Sequence, residues 1–155
     1  MVEEATIEDI LTEFQAKPDA LDSHIATIQE KQDTIYHWLI SENFDILTNA
    51  EKDHLIFLSM IIWNACERTF GELYHVGEKR IESREEKNWE LFLNTKGKFR
   101  ERLDVFFEDY PQEDLLAFVE DALIIEEDEE AFLTSVGREI IFISMKTLID
   151  VFCLN

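Results

Sequence analysis

The sequence predicts an all-α fold, a helical bundle of four long helices plus two short ones in an up-down arrangement. Its 155 residues include only 4 Gly and 2 Pro, too few for the tight turns that many-stranded sandwiches and barrels need. Apolar residues instead recur at helical spacing along most of the chain. With 46% hydrophobic residues the chain can bury one core of ordinary size, so we expect residues 1–155 to form a single domain.

The first third of the chain predicts one short and one long helix. Thr6 is a suitable N-cap for the short helix, which must end before Pro18. From about Pro18 to Leu39 the apolar positions alternate between spacings of four and three. In this four-and-three pattern one position lacks an apolar residue, and polar Gln32 occupies it. This stretch is therefore expected to form the first long helix.

A second long helix is predicted to begin after Thr48. Thr48 and Glu51 have the threonine-x-x-glutamate spacing of a capping box, in which each side chain satisfies a backbone N–H of the first turn. The segment Leu55 to Cys66 is apolar nearly all round, which is typical of an enclosed helix. We expect the helix to continue through about Val76 and to stop at Gly77.

The third long helix is predicted to run from Ser83 to about Tyr110. Ser83 and Glu86 form a second capping-box pattern. Gly97 lies in the middle and costs on the order of 1 kcal/mol relative to Ala. The alternative is two shorter helices broken at Thr95 to Gly97, and we prefer the continuous helix.

The remaining segments predict a short helix and a last long one. Pro111 suits the first position of the short helix, and the last helix is expected from about Asp128 to Phe152. This last helix has two apolar faces, which lie about 140° apart around its axis by the 100° per residue rule. It therefore needs two neighbours. These could be two layers of one bundle, or one face could form a homodimer interface. We assign self-association to the second face, which comprises Ile141, Met145, Leu148, Ile149 and Phe152.

The charge of the chain limits its partners. The 35 acidic and 14 basic side chains give a formal net charge of −21, which repels nucleic acid backbones and anionic membrane surfaces. We therefore expect neither nucleic acid nor a membrane as a direct partner. The same field attracts a basic protein or a cation, although an acidic surface also serves solubility alone.

The acidic residues are concentrated in one segment. Between Leu103 and Gly137 there are 12 acidic side chains and no basic one. Carboxylates at helix N-termini account for part of this excess. The sharper interpretation is a patch that docks a basic protein partner, and the residues assigned to it are Asp121, Glu126, Glu127, Asp128, Glu129 and Glu130.

A metal site is the main alternative to an interaction surface. Glu51-x-x-His54 and Glu72-x-x-His75 each place a carboxylate and an imidazole on one helical face, as in di-metal helical bundles. On one continuous helix the two motifs would lie about 31 Å apart at 1.5 Å per residue, so they could not share an ion. The leading expectation is no cofactor, and the alternative is a divalent transition metal.

The location and redox state follow from weaker signals. The first residues contain neither a basic segment nor a following apolar run, so no secretory signal is visible, and we expect a cytoplasmic protein. Cys66 and Cys153 lie in apolar surroundings and are expected to behave as small hydrophobic side chains rather than as a disulfide or zinc ligands.

These observations favour a non-catalytic interaction module that self-associates and binds a basic protein. No phosphate-binding loop and no nucleophile elbow is recognisable in the sequence. Two alternatives stay open. One is a metal- or small-ligand-binding bundle that acts as a metal-dependent enzyme or a sensor. The other is an acidic mimic of DNA or an immunity protein against a basic toxin.

Overall fold

The computed structural model describes residues 1–124 and 132–154, and throughout these ranges the regular structure is helical. The all-α class is thus confirmed, but the described chain has eight α-helices and one 3₁₀ turn rather than six helices. In order they are α1 (Glu4–Ala16), α2 (Ala20–Lys31), α3 (Asp33–Leu39), the 3₁₀ turn (Glu42–Phe44), α4 (Asn49–Phe70), α5 (Glu78–Asn94), α6 (Phe99–Phe107), α7 (Glu113–Leu123) and α8 (Ser135–Cys153).

The last helix, α8, lies at the centre of the core. It packs against α4, α5 and α7, and every residue from Ile141 to Phe152 is buried. A helix that is apolar nearly all round requires enclosure on all sides. The chain supplies that enclosure itself, with three neighbours where the sequence predicted a need for two.

The two longest helices, α4 and α8, run side by side in the same direction. Glu51 at the start of α4 contacts Thr134 at the start of α8, and Cys66 near the end of α4 contacts Cys153 at the end of α8. An up-down bundle places consecutive helices antiparallel. The parallel pair is possible because three helices lie between α4 and α8 in the chain.

The helix predicted from Pro18 to Leu39 is two helices that meet at Gln32. The backbone of Gln32 leaves the helical region (φ −134°, ψ 58°). Its buried side chain donates to the carbonyl of Tyr74 at 2.8 Å and accepts from the N–H of Val76 at 2.9 Å. The prediction of one helix is wrong because this amide binds a distant loop instead of filling a helical seam.

The start of the second predicted long helix is confirmed and its end is not. The Thr48–Glu51 capping box is present at the start of α4. The helix ends at Phe70, six residues before Val76, its predicted last residue, because Gly71 adopts φ +80°. This left-handed conformation suits glycine and breaks a right-handed helix.

The helix predicted from Ser83 to Tyr110 is also two helices. It separates into α5 and α6 at Thr95–Lys98, where Gly97 has φ +123°. The preferred continuous helix is therefore wrong and the alternative with a break at Gly97 is confirmed. The Ser83 capping box is not used, because α5 already begins at Glu78.

The N-terminal boundaries of the first and last helices also differ from the predictions. Thr6 lies inside α1, which begins at Glu4. The predicted start at Asp128 falls outside the described residues, and α8 begins at Ser135 with Thr134 as its N-cap. The Thr134 hydroxyl accepts a hydrogen bond from the Gly137 N–H at 2.9 Å.

The two cysteines form a disulfide, contrary to expectation. Cys66 of α4 and Cys153 of α8 are bonded across 87 residues of sequence. Two isolated cysteines carry no pairing signal in a sequence, so only the parallel packing of their helices brings them together.

None of the helices in the described ranges is sufficiently long and apolar to span a membrane.

Candidate functional site

The predicted acidic docking patch is represented in the described chain by Asp121. Glu126, Glu127, Asp128, Glu129 and Glu130 lie outside the described residues. Asp121 is exposed near the end of α7. It lines a groove of about 240 Å³ between α1 and α7.

This groove has an acidic rim and an apolar floor. The rim consists of Glu4, Glu8, Asp114 and Asp121, and the floor consists of Ile7, Leu11, Ala117 and Phe118. On both helices the lining positions have the spacing i, i+3, i+4, i+7, which places them on one face. The α1–α7 groove therefore combines four carboxylates with an apolar surface.

The two helices that form the α1–α7 groove begin side by side. The Val2 N–H donates to Gln112 Oε1 at 2.9 Å, and the Glu4 N–H donates to Asp114 Oδ2 at 3.2 Å. Val2 and Gln112 are both buried. These hydrogen bonds fix the beginning of α1 against α7 and so hold the two walls of the groove together.

Helix dipoles explain only part of the acidic rim. Glu4 and Asp114 lie in the first turns of their helices, where a negative charge is favourable. Asp121 lies near the end of α7, where the negative end of the dipole repels a carboxylate, and no basic residue occupies that last turn. Among the described residues, none of the four rim carboxylates forms an ion pair.

Negative charge is also crowded on the adjoining surface of α7. Burial raises the pKa of Glu120, the Arg100 guanidinium opposes this, and the carboxylates of Asp121 and Asp104 raise it further. Glu120 thus has both a guanidinium and two carboxylates as charged neighbours on this surface.

The first metal-ligand candidate, Glu51, has a structural role. Its Oε1 accepts from the Thr48 N–H at 2.9 Å, and its Oε2 accepts from the N–H and the hydroxyl of Thr134 at 2.9 and 3.0 Å. A Cβ at Gly137 would lie 1.7 Å from Oε2, so only glycine fits there. Burial raises the pKa of Glu51, but the hydrogen bonds from Thr48 and Thr134 outweigh it and leave the pKa lowered.

His54, the partner of Glu51 in the motif, is directed elsewhere. Its Nε2 lies 3.1 Å from the carbonyl oxygen of Ala122, and since that oxygen can only accept, Nε2 carries the hydrogen. The ring also packs edge-on against Phe132. Burial lowers the pKa of His54, although the bond to Ala122 opposes this. The imidazole thus joins α4 to the end of α7.

The second motif, Glu72-x-x-His75, lies in the α4–α5 connection rather than on a helix. Both residues are exposed, and His75 Nε2 lies 2.7 Å from Asp33 Oδ1. This hydrogen bond lowers the pKa of Asp33. No group of three potential ligands suitable for a metal ion occurs within the described ranges.

The predicted self-association face is buried within the chain. Ile141, Met145, Leu148 and Ile149 are 0% exposed and Phe152 is 7% exposed. Phe152 packs edge-on against Trp63 of α4. The expectation that this face contacts a second subunit is corrected, because α4, α5 and α7 already cover it.

A buried polar network in the C-terminal half of α8 was not assigned from the sequence. Lys146 Nζ lies 2.9 and 2.8 Å from the two carboxylate oxygens of Asp150 and donates to Asn88 Oδ1 at 3.2 Å. Asn88 in turn donates to Asp150 and to Thr147, each at 3.1 Å. The Tyr110 hydroxyl donates to Asp150 at 2.6 Å.

This network binds α8 to α5 and to the segment before α7. Lys146 also lies 4.4 Å from the centre of the Tyr110 ring. Burial lowers the pKa of Lys146 and the Asp150 carboxylate opposes this, whereas burial and the same carboxylate raise the pKa of the Tyr110 hydroxyl. Every polar group of the network has a partner, so it stabilises packing and presents no unsatisfied group to a ligand.

One signal could have identified the network. Lys146 and Asp150 are polar residues four apart in an otherwise apolar helix, the spacing of an ion pair on one helical face. The partners Asn88 and Tyr110 lie 58 and 40 residues away from the pair members they contact, and no local pattern indicates them.

Comparison of the chain with models of known protein families, with curated proteins and with solved structures finds no match.

Proposed function

We propose that this protein is a non-catalytic interaction module that binds a basic protein partner through its acidic surface. The observation that carries the proposal is the α1–α7 groove, in which four carboxylates without ion-pair partners in the described chain border an apolar floor. Exposed carboxylates around a partly apolar surface attract a basic partner and also provide area for it to bury.

The position of this surface supports a binding role. The acidic segment 103–137 contributes Asp114 and Asp121 to the rim, so two of the acidic side chains of this segment border the groove. The proposed location is the cytoplasm, where the Cys66–Cys153 disulfide would have to persist against the reductants of that compartment. A homodimer would have to use a surface other than the buried face of α8.

The proposal is tested by capturing partners on the immobilised protein and titrating the most enriched one in purified form. We expect saturable one-to-one binding whose dissociation constant rises with salt, because ions screen exposed charges. Replacing Glu126, Glu127, Glu129 and Glu130 with Gln should weaken binding and reduce its salt dependence.

A matched control tests whether the effect is specific to the acidic segment. Glu78, Glu82, Glu86 and Glu90 are exposed on α5, and their replacement with Gln removes the same charge from another helix. Binding that is insensitive to salt, or that weakens equally in both quadruple variants, would contradict the proposal.

A further inference from the structure

We infer that the α1–α7 groove binds an amphipathic basic helix, with the apolar side chains of the helix on the groove floor and its Lys or Arg side chains against the acidic rim. This inference rests on the proposed function, and it names the site and the type of segment that binds there.

The dimensions of the groove fit a short helical segment. The lining positions extend from Glu4 to Leu11 on α1 and from Asp114 to Asp121 on α7, about 10 Å along each axis at 1.5 Å per residue. This length equals about two helical turns. A helix lying along the groove would place two apolar side chains, one turn apart, on the floor, as in known helix-in-groove complexes.

The apolar floor distinguishes this groove from a simple acidic cluster. Leu11, Ala117 and Phe118 are only partly buried, so contacts to them would remove apolar surface from water and favour binding. Ala117 is the smallest of the three side chains and lies on α7. A larger side chain at this position would occupy the floor without changing the charge of the groove.

The rim determines the sign of the ligand's charge. Two carboxylates come from α1 and two from α7, and no Lys, Arg or His is among the described residues that line the groove. Asp121 has the least favourable position for the helix dipole, and a nearby Lys or Arg would compensate for it. An acidic or neutral helix would not relieve this repulsion.

The test uses a fluorescein-labelled synthetic peptide of about 14 residues, about 21 Å long as a helix. Leucines form one face and lysines flank them, and fluorescence anisotropy measures binding to the full chain. A second peptide has the same composition with its order scrambled, so that its charge is kept and its amphipathic face is lost.

Three variants separate the contributions of the groove floor, the acidic rim and the overall charge to peptide binding. Ala117→Leu fills the floor and keeps every charge. Glu8→Gln with Asp121→Asn neutralises exposed rim carboxylates for which the described structure gives no side-chain hydrogen bond. Glu82→Gln with Glu86→Gln removes the same charge from exposed positions of α5. Circular dichroism confirms that each variant keeps its helical content.

The inference requires that the amphipathic peptide bind more tightly than the scrambled one. It also requires Ala117→Leu to weaken binding about tenfold, because the larger side chain displaces one buried apolar side chain of the peptide from the floor. The rim variant should weaken binding several-fold, and the α5 variant should leave binding unchanged. Equal binding of the two peptides would mean attraction between charges alone and would overturn the inference. Unchanged binding by Ala117→Leu, or self-association that excludes the peptide, would overturn it as well.

Failure of the inference and failure of the proposed function give different results. If the purified partner binds in a salt-dependent way to wild type and to Ala117→Leu equally, the acidic surface functions without the groove. If the partner also binds the acidic-segment variant as well as wild type, the proposed function itself fails.

Discussion

Glu51 beside the start of α8 and Asp150 near its end are both buried carboxylates, 0% and 2% exposed, yet they are stabilised by different partners. Among the described residues, Glu51 accepts hydrogen bonds from neutral donors alone, on Thr48 and Thr134. Asp150 is paired with the Lys146 ammonium and accepts from the Tyr110 hydroxyl.

The position of each carboxylate along its helices explains the difference. Glu51 lies at the N-termini of both α4 and α8, where helix dipoles and unpaired N–H groups favour a negative charge. Asp150 lies in the last turn of α8, where the dipole opposes a negative charge. A buried carboxylate at a helix start can thus rely on backbone donors, whereas one at a helix end needs a counter-ion.

The largest effect is expected from removing the counter-ion. Lys146→Met leaves the Asp150 carboxylate buried without its cation and should lower the free energy of unfolding by about 3–5 kcal/mol. Adding Asp150→Asn removes the unpaired charge and should recover a large part of the loss. Urea denaturation of both variants measures the effect. A loss of less than about 1 kcal/mol in the single variant would mean that Asp150 does not depend on Lys146.

The disulfide holds the C-terminal end of α8 to α4. Its removal should have the second-largest effect on the free energy of unfolding. Cys66→Ala with Cys153→Ala should lower the free energy of unfolding by about 2–4 kcal/mol, mainly because the unfolded chain loses a long closed loop. Thermal denaturation with and without a reductant measures this. Wild type should respond to the reductant and the double variant should not; an insensitive wild type would argue against the bond.

A smaller effect is expected at the start of α8. Glu51→Ala removes the acceptor of the Thr48 and Thr134 N–H groups and should lower the free energy of unfolding by about 1–3 kcal/mol. The matched control is Glu90→Ala, which removes an exposed glutamate from α5 and should change stability little. If the two variants are equally stable in urea, Glu51 is not needed to join the two helix starts.

The smallest effect is a pH dependence of the Glu51 contribution. The folded state lowers the pKa of Glu51 below its ordinary value of 4.5, so the stabilisation is complete above that value. It is lost as the pH falls through the folded-state pKa. The stability difference between wild type and Glu51→Gln should therefore be constant from neutral pH to about pH 5 and should narrow below it. A stability difference that widens on acidification would show that folding raises the pKa of Glu51 instead of lowering it.

Local patterns predicted some features of the fold that depend on neighbouring residues, although the signals at Thr6 and Ser83 did not mark helix starts. The Thr48–Glu51 capping box starts α4 as expected. Pro111 was expected to be the first residue of the short helix, but it lies in the turn before α7, which begins two residues later at Glu113. The break at Gly97 was recognised as an alternative. In each case the residues that determine the structure lie within one or two turns of each other.

Features that depend on distant residues could not be predicted in this way. The break at Gln32 results from hydrogen bonds to Tyr74 and Val76, and the burial of Lys146 depends on Asn88. Two apolar faces on α8 indicated neighbours without identifying them, so a subunit interface and a surrounding core remained equally consistent with the pattern. For the candidate site, the acidic segment was recognised, but its juxtaposition with α1 was not.

The central position of α8 has a consequence for the order of folding. Because α8 follows the other described helices along the chain, it leaves the ribosome after them, and until then the apolar surfaces of α4 and α5 lack their main partner. The contacts between α4 and α8 join residues more than 80 positions apart, and such contacts slow folding. The nascent chain must therefore keep an incomplete core in solution until α8 has been synthesised, and its high negative charge opposes aggregation during that interval.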